Sequence, residues 1–389
     1  MKLLHLTLSL APMVLFLYVY IKLRSAVRFG LLWSLVYLSL SVFLIWGSRL
    51  LWTANLEAIP GVRKALSYMV YLGLAFFFLL FTAFLLLDVL RLFVRILDML
   101  MSSCFADLLP SPRMTAILAV VFSLTACCYG WMEALSVRPV HVTVHTDKLA
   151  RGVDRLRIAH ITDVHLGWIV QEGRLERILN VVKAAEPDML VCTGDIVDGN
   201  MEEREAEVSL FRGLDLPFGV FAVTGNHEYH AGIDQAVAFM SRAGMRVLRN
   251  EAVRAGGIVI AGVDDSSAVR HEERPEPEES VLASLPSNRF VLLLKHQPTV
   301  GAASQGLFDL QLSGHTHRGQ IWPFYWATRA AYDYRPGLRA LAAPQRGEAR
   351  ASGEERESFV LVSNGTGTWG PPIRFLAPPE VVIVDLVSR

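Results

Sequence analysis

"LRIAHITDVHLG", residues 156–167, decides the fold. It opens as a short β-rich run and ends in polar residues and a Gly, so it reads as a strand that delivers Asp163 and His165 at its tip. In "RLERILNVVKAAEPDMLVCTGDIVDG", apolar residues at Leu175, Ile178, Leu179 and Val182 mark one face of a helix. Pro187 stops that helix, and "MLVCTGD" forms a second buried strand. "GVFAVTGNHEYH" repeats the strand-then-Gly pattern, and Gly232 to Ala243 reads as another helix. Further strands lie in "RVLRN", "GIVIAGVDD", "RFVLLLKHQP" and "LFDLQLSGHTH", with "FVLVSNGTGTWG" and "VVIVDLV" late in the chain. Strands alternate with helices early and dominate late, the pattern of an α/β layered domain.

Between these elements, "RHEERPEPEES" reads as a charged surface loop and "PQRGEARASGEERES" (344–358) as a polar, flexible insertion. There is no internal repeat.

Five strand ends carry the same kinds of residue. They are Asp163 and His165 in "TDVH", Asp195 and Asp198 in "GDIVD", Asn226 and His227 in "GNHE", His296 in "LKHQP", and His315 and His317 in "GHTH". Each follows an apolar run, so all are expected at the rim of one sheet region, where α/β folds build sites. In "QLSGHTHRGQIWPF" (311–324), residues two apart in an extended segment point the same way, which would aim both imidazoles at one spot. A polar turn that happens to hold two histidines is the plain alternative for that stretch alone. Carboxylates, an amide oxygen and imidazoles without thiolate suit hard-to-borderline divalent metals and argue against a structural zinc or an iron–sulfur cluster. The ligands exceed what one tetrahedral ion takes, and suit two ions about 3.5–4 Å apart that share a carboxylate.

The rest of the 389-residue chain is a different material. Hydrophobic residues make up 52% of the whole, and the excess is concentrated before residue 135. Residues 3–21, 29–47, 67–87 and 114–132 contain no Asp, Glu, Lys or Arg, and a bilayer span needs roughly 20 residues. Four such runs fit buried core helices of a soluble protein poorly. The first is not expected to be a cleaved leader, because "YVYIKLRSAV" offers no small-x-small site. Lys and Arg together number 37, as do Asp and Glu, so net charge gives no reason to expect a nucleic-acid partner. Cys104, Cys127, Cys128 and Cys192 form no paired framework and read as small apolar residues.

In order and local spacing, D-x-H, G-D-x-x-D, G-N-H-E, H and G-H-x-H resemble the calcineurin-like metallophosphoesterases, a family of two-metal phosphatases and phosphodiesterases. The resemblance covers roughly residues 155–386, and "GQIWPF" and "GTGTWGPPIRFLAPPE" look like its bacterial membrane- or envelope-associated branch. The four apolar runs are expected to form a bundle of transmembrane helices (1–135), followed by a linker and first strand (136–154); the resemblance implies that an α/β metallophosphoesterase domain, a layered β-sandwich flanked by helices, fills 155–389. It also implies one divalent ion on Asp163, His165, Asp195 and His317, and a second on Asp195, Asn226, His296 and His315. Asp195 would bridge them, and Mn, Fe and Zn all accept such ligands. The two histidines of "GHTH" would then serve neighbouring ions. His227, hydrogen-bonded to Asp198, would face the substrate, and a metal-activated hydroxide would attack the phosphorus.

Arg318 and Arg374 are candidate phosphate-binding residues, with solvated surface arginine as the plain alternative. His160 and His230 read as packed histidines beside the motifs. "IWPFYW" is read equally as a membrane-dipping or acyl-lining segment and as core. The expected partners are the lipid bilayer and a phosphate-containing substrate, lipid-linked if four spans serve delivery. A tethered phosphodiesterase of soluble nucleotides and a non-catalytic sensor or scaffold are the alternatives; an intact ligand set and His227 speak against the scaffold. A transporter is not expected, because the spans hold no charged residue to mark a pathway. Lys22, Arg24 and Arg28 crowd the first loop, so the first and third loops are expected on the cytoplasmic side of a bacterial plasma membrane, with the catalytic domain outside the cytoplasm. In the third loop, beside Arg91, Arg95 and Arg113, "LLDVLRLFVRILDML" (86–100) is expected to lie along the interface as an amphipathic helix.

Overall fold

The computed structural model describes residues 2–53, 60–101, 105–271, 276–341 and 357–389. Part of the charged loop around 270–280 and nearly all of the 344–358 insertion lie outside the described residues, as does Cys104. The chain divides into two compact units, one of residues 1–132 with 370–375, the other of 133–369 with 376–389.

Among its described residues the first unit has four α-helices, α1 (Lys2–Ala26), α2 (Leu31–Thr53), α3 (Pro60–Met101) and α4 (Pro112–Leu135). Each apolar run of the sequence falls within one of them, except that Phe29 and Gly30 of the second run precede α2. Phe16 and Val19 of α1, Leu44 of α2, Leu80 and Phe84 of α3 and Ala116 and Ala119 of α4 share one buried cluster. Among the described residues, two helices are long and apolar enough to cross a membrane, over Gly61–Met101 and Pro112–Leu135, while Leu31–Gly47 forms a shorter apolar helix. The expected four spans are thus matched in helix number, but by that measure in two helices only. α3 also corrects the interfacial helix expected over 86–100. Neither Pro nor Gly occurs from Leu74 to Met101, so the helix runs on unbroken from the third apolar run.

Among its described residues the second unit carries two six-stranded mixed sheets. One is ordered β1 (Arg138–Thr146), β12 (Glu380–Ser388), β2 (Arg155–Ile161), β3 (Met189–Thr193), β4 (Val220–Val223) and β5 (Met245–Val247). The other is ordered β10 (Gly337–Ala340), β11 (Phe359–Val362), β9 (Leu310–Ser313), β8 (Val291–Leu294), β7 (Ile258–Gly262) and β6 (Glu251–Ala255). Strands β2 to β5 run parallel, as do β7, β8, β9 and β11. β12 is antiparallel to β2, and β6 and β10 add antiparallel edges to the second sheet.

The strands are continuous apolar runs because both faces of each central strand are buried. Ile158, Val191, Val223, Ile260, Leu292 and Leu312 face a shared core between the sheets. On the other face of the first sheet, Ala159, Leu190 and Ala222 pack against helices α5 (Glu172–Ala184), α6 (Glu205–Arg212), α7 (Asn226–Ala231) and α8 (Ile233–Arg242). Leu175, Ile178, Leu179 and Val182 form the buried stripe of α5, as their spacing requires. Val259, Val291 and Leu293 back the second sheet with Leu282 of α10 (Glu278–Ala283), which follows the one-turn helix α9 (Ser267–Arg270). The result is a β-sandwich with helices on its outer faces. A last short helix, α11 (Tyr325–Ala331), follows the fifth motif and has no buried residue.

Candidate metal centre

All five motifs lie just past the carboxyl ends of parallel strands. The structure differs from the sequence expectation in drawing on two sheets, with β2, β3 and β4 in one and β8 and β9 in the other. Asp163 and His165 follow β2, Asp195 and Asp198 follow β3, and Asn226 opens α7 after β4. His296 and His315 follow β8 and β9, and His317 starts a short 3-10 turn.

Among the described residues three overlapping groups form, with the ligand-type atoms of each within 4.8 Å of one another. They are Asp163, His165 and His317; His165, Asp195 and His227; and Asp195, His296 and His315. His165 Nε2 and His317 Nε2 face each other at 3.0 Å. His317 Nε2 lies 3.3 Å from Asp163 Oδ1, and His296 Nε2 lies 3.1 Å from Asp195 Oδ2. Asn226 Oδ1 is 3.2 Å from His296 Nε2, which places the amide beside the third group. The two histidines of "GHTH" therefore join different groups. The reason is backbone conformation: His315 and His317 have φ of 68° and 48°, so the segment is a turn and not the extended strand that would align them.

Asp163, His165 and Asp195 share that left-handed conformation, with φ of 55°, 56° and 51°. For a non-glycine residue such a backbone costs of order 1 kcal/mol or more, and it persists only where surrounding structure enforces it. That enforcement is visible. Asp163 accepts the His315 backbone N–H with both oxygens at 3.0 Å, and Asp195 Oδ1 accepts the His227 N–H at 2.8 Å. Glu228 is fully buried and accepts the backbone N–H groups of Asp195, Ile196, Val197 and Gly225 at 2.6–3.0 Å. Sequence reasoning gave this residue no role. The signal was the capping-box spacing in "GNHE", in which the residue three past the cap reaches back to the cap's N–H.

The electrostatics call for positive charge. His296 Nδ1 donates to the Thr193 carbonyl at 2.8 Å, so the lone pair of its neutral form is on Nε2, facing Asp195. Burial opposes protonation of His296, yet the Asp195 carboxylate carries it up to about 10. Burial and then the charge of His296 push His315 down to about 4, and burial holds His165 well below the usual histidine range. His165 Nδ1 is buried without a hydrogen-bond partner. Buried carboxylates, an amide oxygen and lone pairs converging within a few ångströms are stabilised by protons or by cations. The donor set fits divalent cations of hard-to-borderline character.

His227 lies beside these groups. Its Nδ1 is 3.0 Å from Asp198 Oδ1, and its ring stands edge-on to His165, centroids 4.6 Å apart. Burial alone would lower its pKa, but Asp195 and the hydrogen bond to Asp198 raise it to about 9. The half-exposed ring of Trp369 lies 5.8 Å from His227, and Gln320 fixes that residue by accepting from its N–H at 2.8 Å and donating to its carbonyl at 3.0 Å. Tyr332 stands edge-on to His315 at 5.4 Å. Neither aromatic was singled out in the sequence, because only the folded chain brings them to the motifs.

The remaining candidates separate. His160 is fully buried, with Nε2 2.7 Å from Thr193 Oγ1, whereas His230 is exposed with its ring 5.4 Å from His227. Arg318 is exposed and lies over the Tyr325 ring at 5.8 Å. Arg374, expected at a substrate phosphate, is instead 0% exposed. It belongs to the helical unit, where its N–H donates to the Gly130 carbonyl of α4 at 2.9 Å, and it presents no surface to a substrate.

Residues 156–319 match the family model described as calcineurin-like phosphoesterase. The chain is 39% identical over 264 residues to an "Uncharacterized metallophosphoesterase" of Aquifex aeolicus, covering 67% of this chain and 96% of that one. It is 28% identical over 286 residues to a Danio rerio "Transmembrane protein with metallophosphoesterase domain", covering 69% and 62% respectively. A crystal structure of a 5'-nucleotidase precursor from Thermus thermophilus aligns at TM-score 0.34 and 14% identity, over 60% of this chain and 54% of that one. A fold and site of this kind define a metal-dependent phosphoester hydrolase. The chain belongs to the calcineurin-like phosphoesterase family.

Proposed function

We propose that this chain is a membrane-anchored phosphoesterase that uses two divalent ions and acts on a phosphate ester carried by a membrane lipid. The observation that carries the two-ion reading is the position of Asp195, whose carboxylate belongs to two of the three ligand groups, one with His165 and the other with His296 and His315. Asp163, His165, Asp195 and His317 would hold one ion, and Asp195, Asn226, His296 and His315 the other. When bound, such ions lower the pKa of water and offset charge on the phosphoryl oxygens.

The chain's own groups do the rest. Asp198 accepts from His227 Nδ1, and because the ring's pKa is raised to about 9 the imidazolium keeps an Nε2–H to donate to a phosphoryl oxygen or to the leaving oxygen. Arg318, exposed beside His317, is a candidate second donor to the phosphate. Anchoring rests on the apolar helices, two of membrane-crossing length, with α1 and the shorter α2 as the third and fourth spans of the proposed bundle. The relative named as a transmembrane protein supports the same reading. The catalytic unit is proposed to face away from the cytoplasm of a bacterial plasma membrane, on the density of basic residues in the first loop.

A second reading, a tethered phosphodiesterase of soluble nucleotides, is favoured by Trp369. Its half-exposed ring beside His227 offers a base a stacking surface. The two are separated by assaying the full chain in lipid nanodiscs against phosphatidic acid in the same bilayer and against a soluble nucleoside monophosphate and dinucleotide. Turnover of the lipid well above that of either nucleotide supports the first reading. The reverse order supports the second.

A further inference from the structure

The segment between His317 and β10 has a composition that neither a core nor an ordinary loop explains. Phe324 and Trp326 are 50% and 56% exposed, and α11, which contains Trp326, buries none of its seven residues. Two arginines lie on its aromatic rings. Arg318 sits over Tyr325 at 5.8 Å and Arg329 over Trp326 at 5.3 Å, so cationic heads and ring faces are presented together. From 318 to 339 the chain holds four arginines (Arg318, Arg329, Arg335, Arg339) against one acid, Asp333, and all four arginines are exposed. The surface is continuous in sequence with the metal centre at both ends. It starts one residue after His317, and Tyr332, just past α11, stands against His315.

We propose that α11 and its flanks are a docking surface for an anionic lipid bilayer, which holds the mouth of the metal centre against the headgroup layer. This rests on the membrane-anchored reading above. Trp, Tyr and Arg are the residues that favour the water–hydrocarbon boundary: rings sit at headgroup level while guanidinium groups pair with lipid phosphates. Each basic residue at an anionic surface strengthens partitioning by about fivefold. The excess positive charge of 318–339 therefore selects a negatively charged leaflet over a neutral one. A helix this short frays in water, so its amides report docking directly.

The test is amide hydrogen exchange on the full chain in nanodiscs of phosphatidylcholine alone and of phosphatidylcholine with phosphatidylglycerol. Amides 325–332 are expected to exchange at least about threefold more slowly in the anionic discs, and added salt should erase the difference. The double variant Trp326→Ser/Arg329→Gln should lose this protection yet hydrolyse soluble bis-p-nitrophenyl phosphate within about twofold of the parent, which also shows that it folds. Equal exchange in both disc types, or protection that follows two chains per disc and not lipid charge, overturns the proposal alone. A chain that does not enter discs at all overturns the anchoring reading and this inference with it.

Discussion

His227 Nδ1 lies 3.0 Å from Asp198 Oδ1, and this pairing fixes which ring nitrogen faces outward. A carboxylate accepts only, so Nδ1 carries a proton and Nε2 is turned toward any bound phosphate. His227→Ala is expected to keep its metal content while kcat falls about 10²–10³-fold, the usual cost of a preorganised donor. Asp198→Asn should fall less, because the imidazole remains but its tautomer and orientation are released. Metal analysis alongside kcat checks both; loss of metal with an unchanged rate per bound ion would remove His227 from the proposed role.

Glu228 binds four backbone N–H groups at once, at Gly225 and through residues 195–197. Glu228→Gln replaces one accepting oxygen with a donor that points at those N–H groups. Leaving buried donors unmet costs roughly 2–4 kcal/mol here. Thermal unfolding should therefore move to lower temperature, and metal affinity should weaken because the Asp195 backbone loses its clamp. Unchanged unfolding and unchanged affinity would show that the clamp is redundant.

Gly314 sits where a Cβ would collide with Asp163 Oδ2 and Thr162 Oγ1. Gly314→Ala must displace the Asp163 carboxylate, and a misplacement of about 1 Å costs on the order of 10²-fold in rate. Activity on bis-p-nitrophenyl phosphate should drop by about that factor with the fold intact. Gly301, with open space around its Cβ position up to Ser304 Oγ at 3.4 Å, is the control, and Gly301→Ala should be near neutral.

His160 carries a pH dependence with a definite sign. Burial lowers its pKa from 6.5 to about 3, so it stays neutral in the folded chain and protonates readily once unfolded. Between about 6.5 and 3 the unfolded state binds the extra proton, so stability falls as pH falls, by at most about 1.4 kcal/mol per pH unit. His160→Met should flatten the slope of unfolding free energy against pH in that window by up to one proton. Equal slopes for parent and variant would contradict the assignment.

The sequence made the site more legible than the framework that holds it. A Gly or polar pair after an apolar run marks a strand end locally, so Asp163, Asp195, Asn226, His296 and His315 could be found without knowing which strands pair. Their division between two sheets could not. β12 inserts between β1 and β2, pairing Ile383 with His141 and Ala159 across more than 200 residues, and no local pattern encodes that. The antiparallel edge β6 does not stand out in the sequence, because Glu251–Ala255 has little apolar signal and only Val253 of it is buried. "GHTH" reads as extended from its sequence, whereas the folded chain turns there, with Asp163 holding the His315 N–H across 152 positions, a contact no local pattern encodes. Arg374 reads as a surface cation from its type alone, and its burial depends on where the helical unit receives residues 370–375.

The most direct measurement pairs metal content with hydrolysis on the purified full chain. Bis-p-nitrophenyl phosphate turnover is followed as ions are stripped by chelator and restored with Mn²⁺, and ions per chain are counted at each step. The expected result is activity that vanishes on stripping, returns with Mn²⁺, and reaches its plateau at two ions per chain, with Asp195→Ala inactive because its carboxylate lies in two of the three ligand groups. Full activity in a chain stripped of metal, or a plateau at one ion with Asp195→Ala still active, would contradict the two-ion centre.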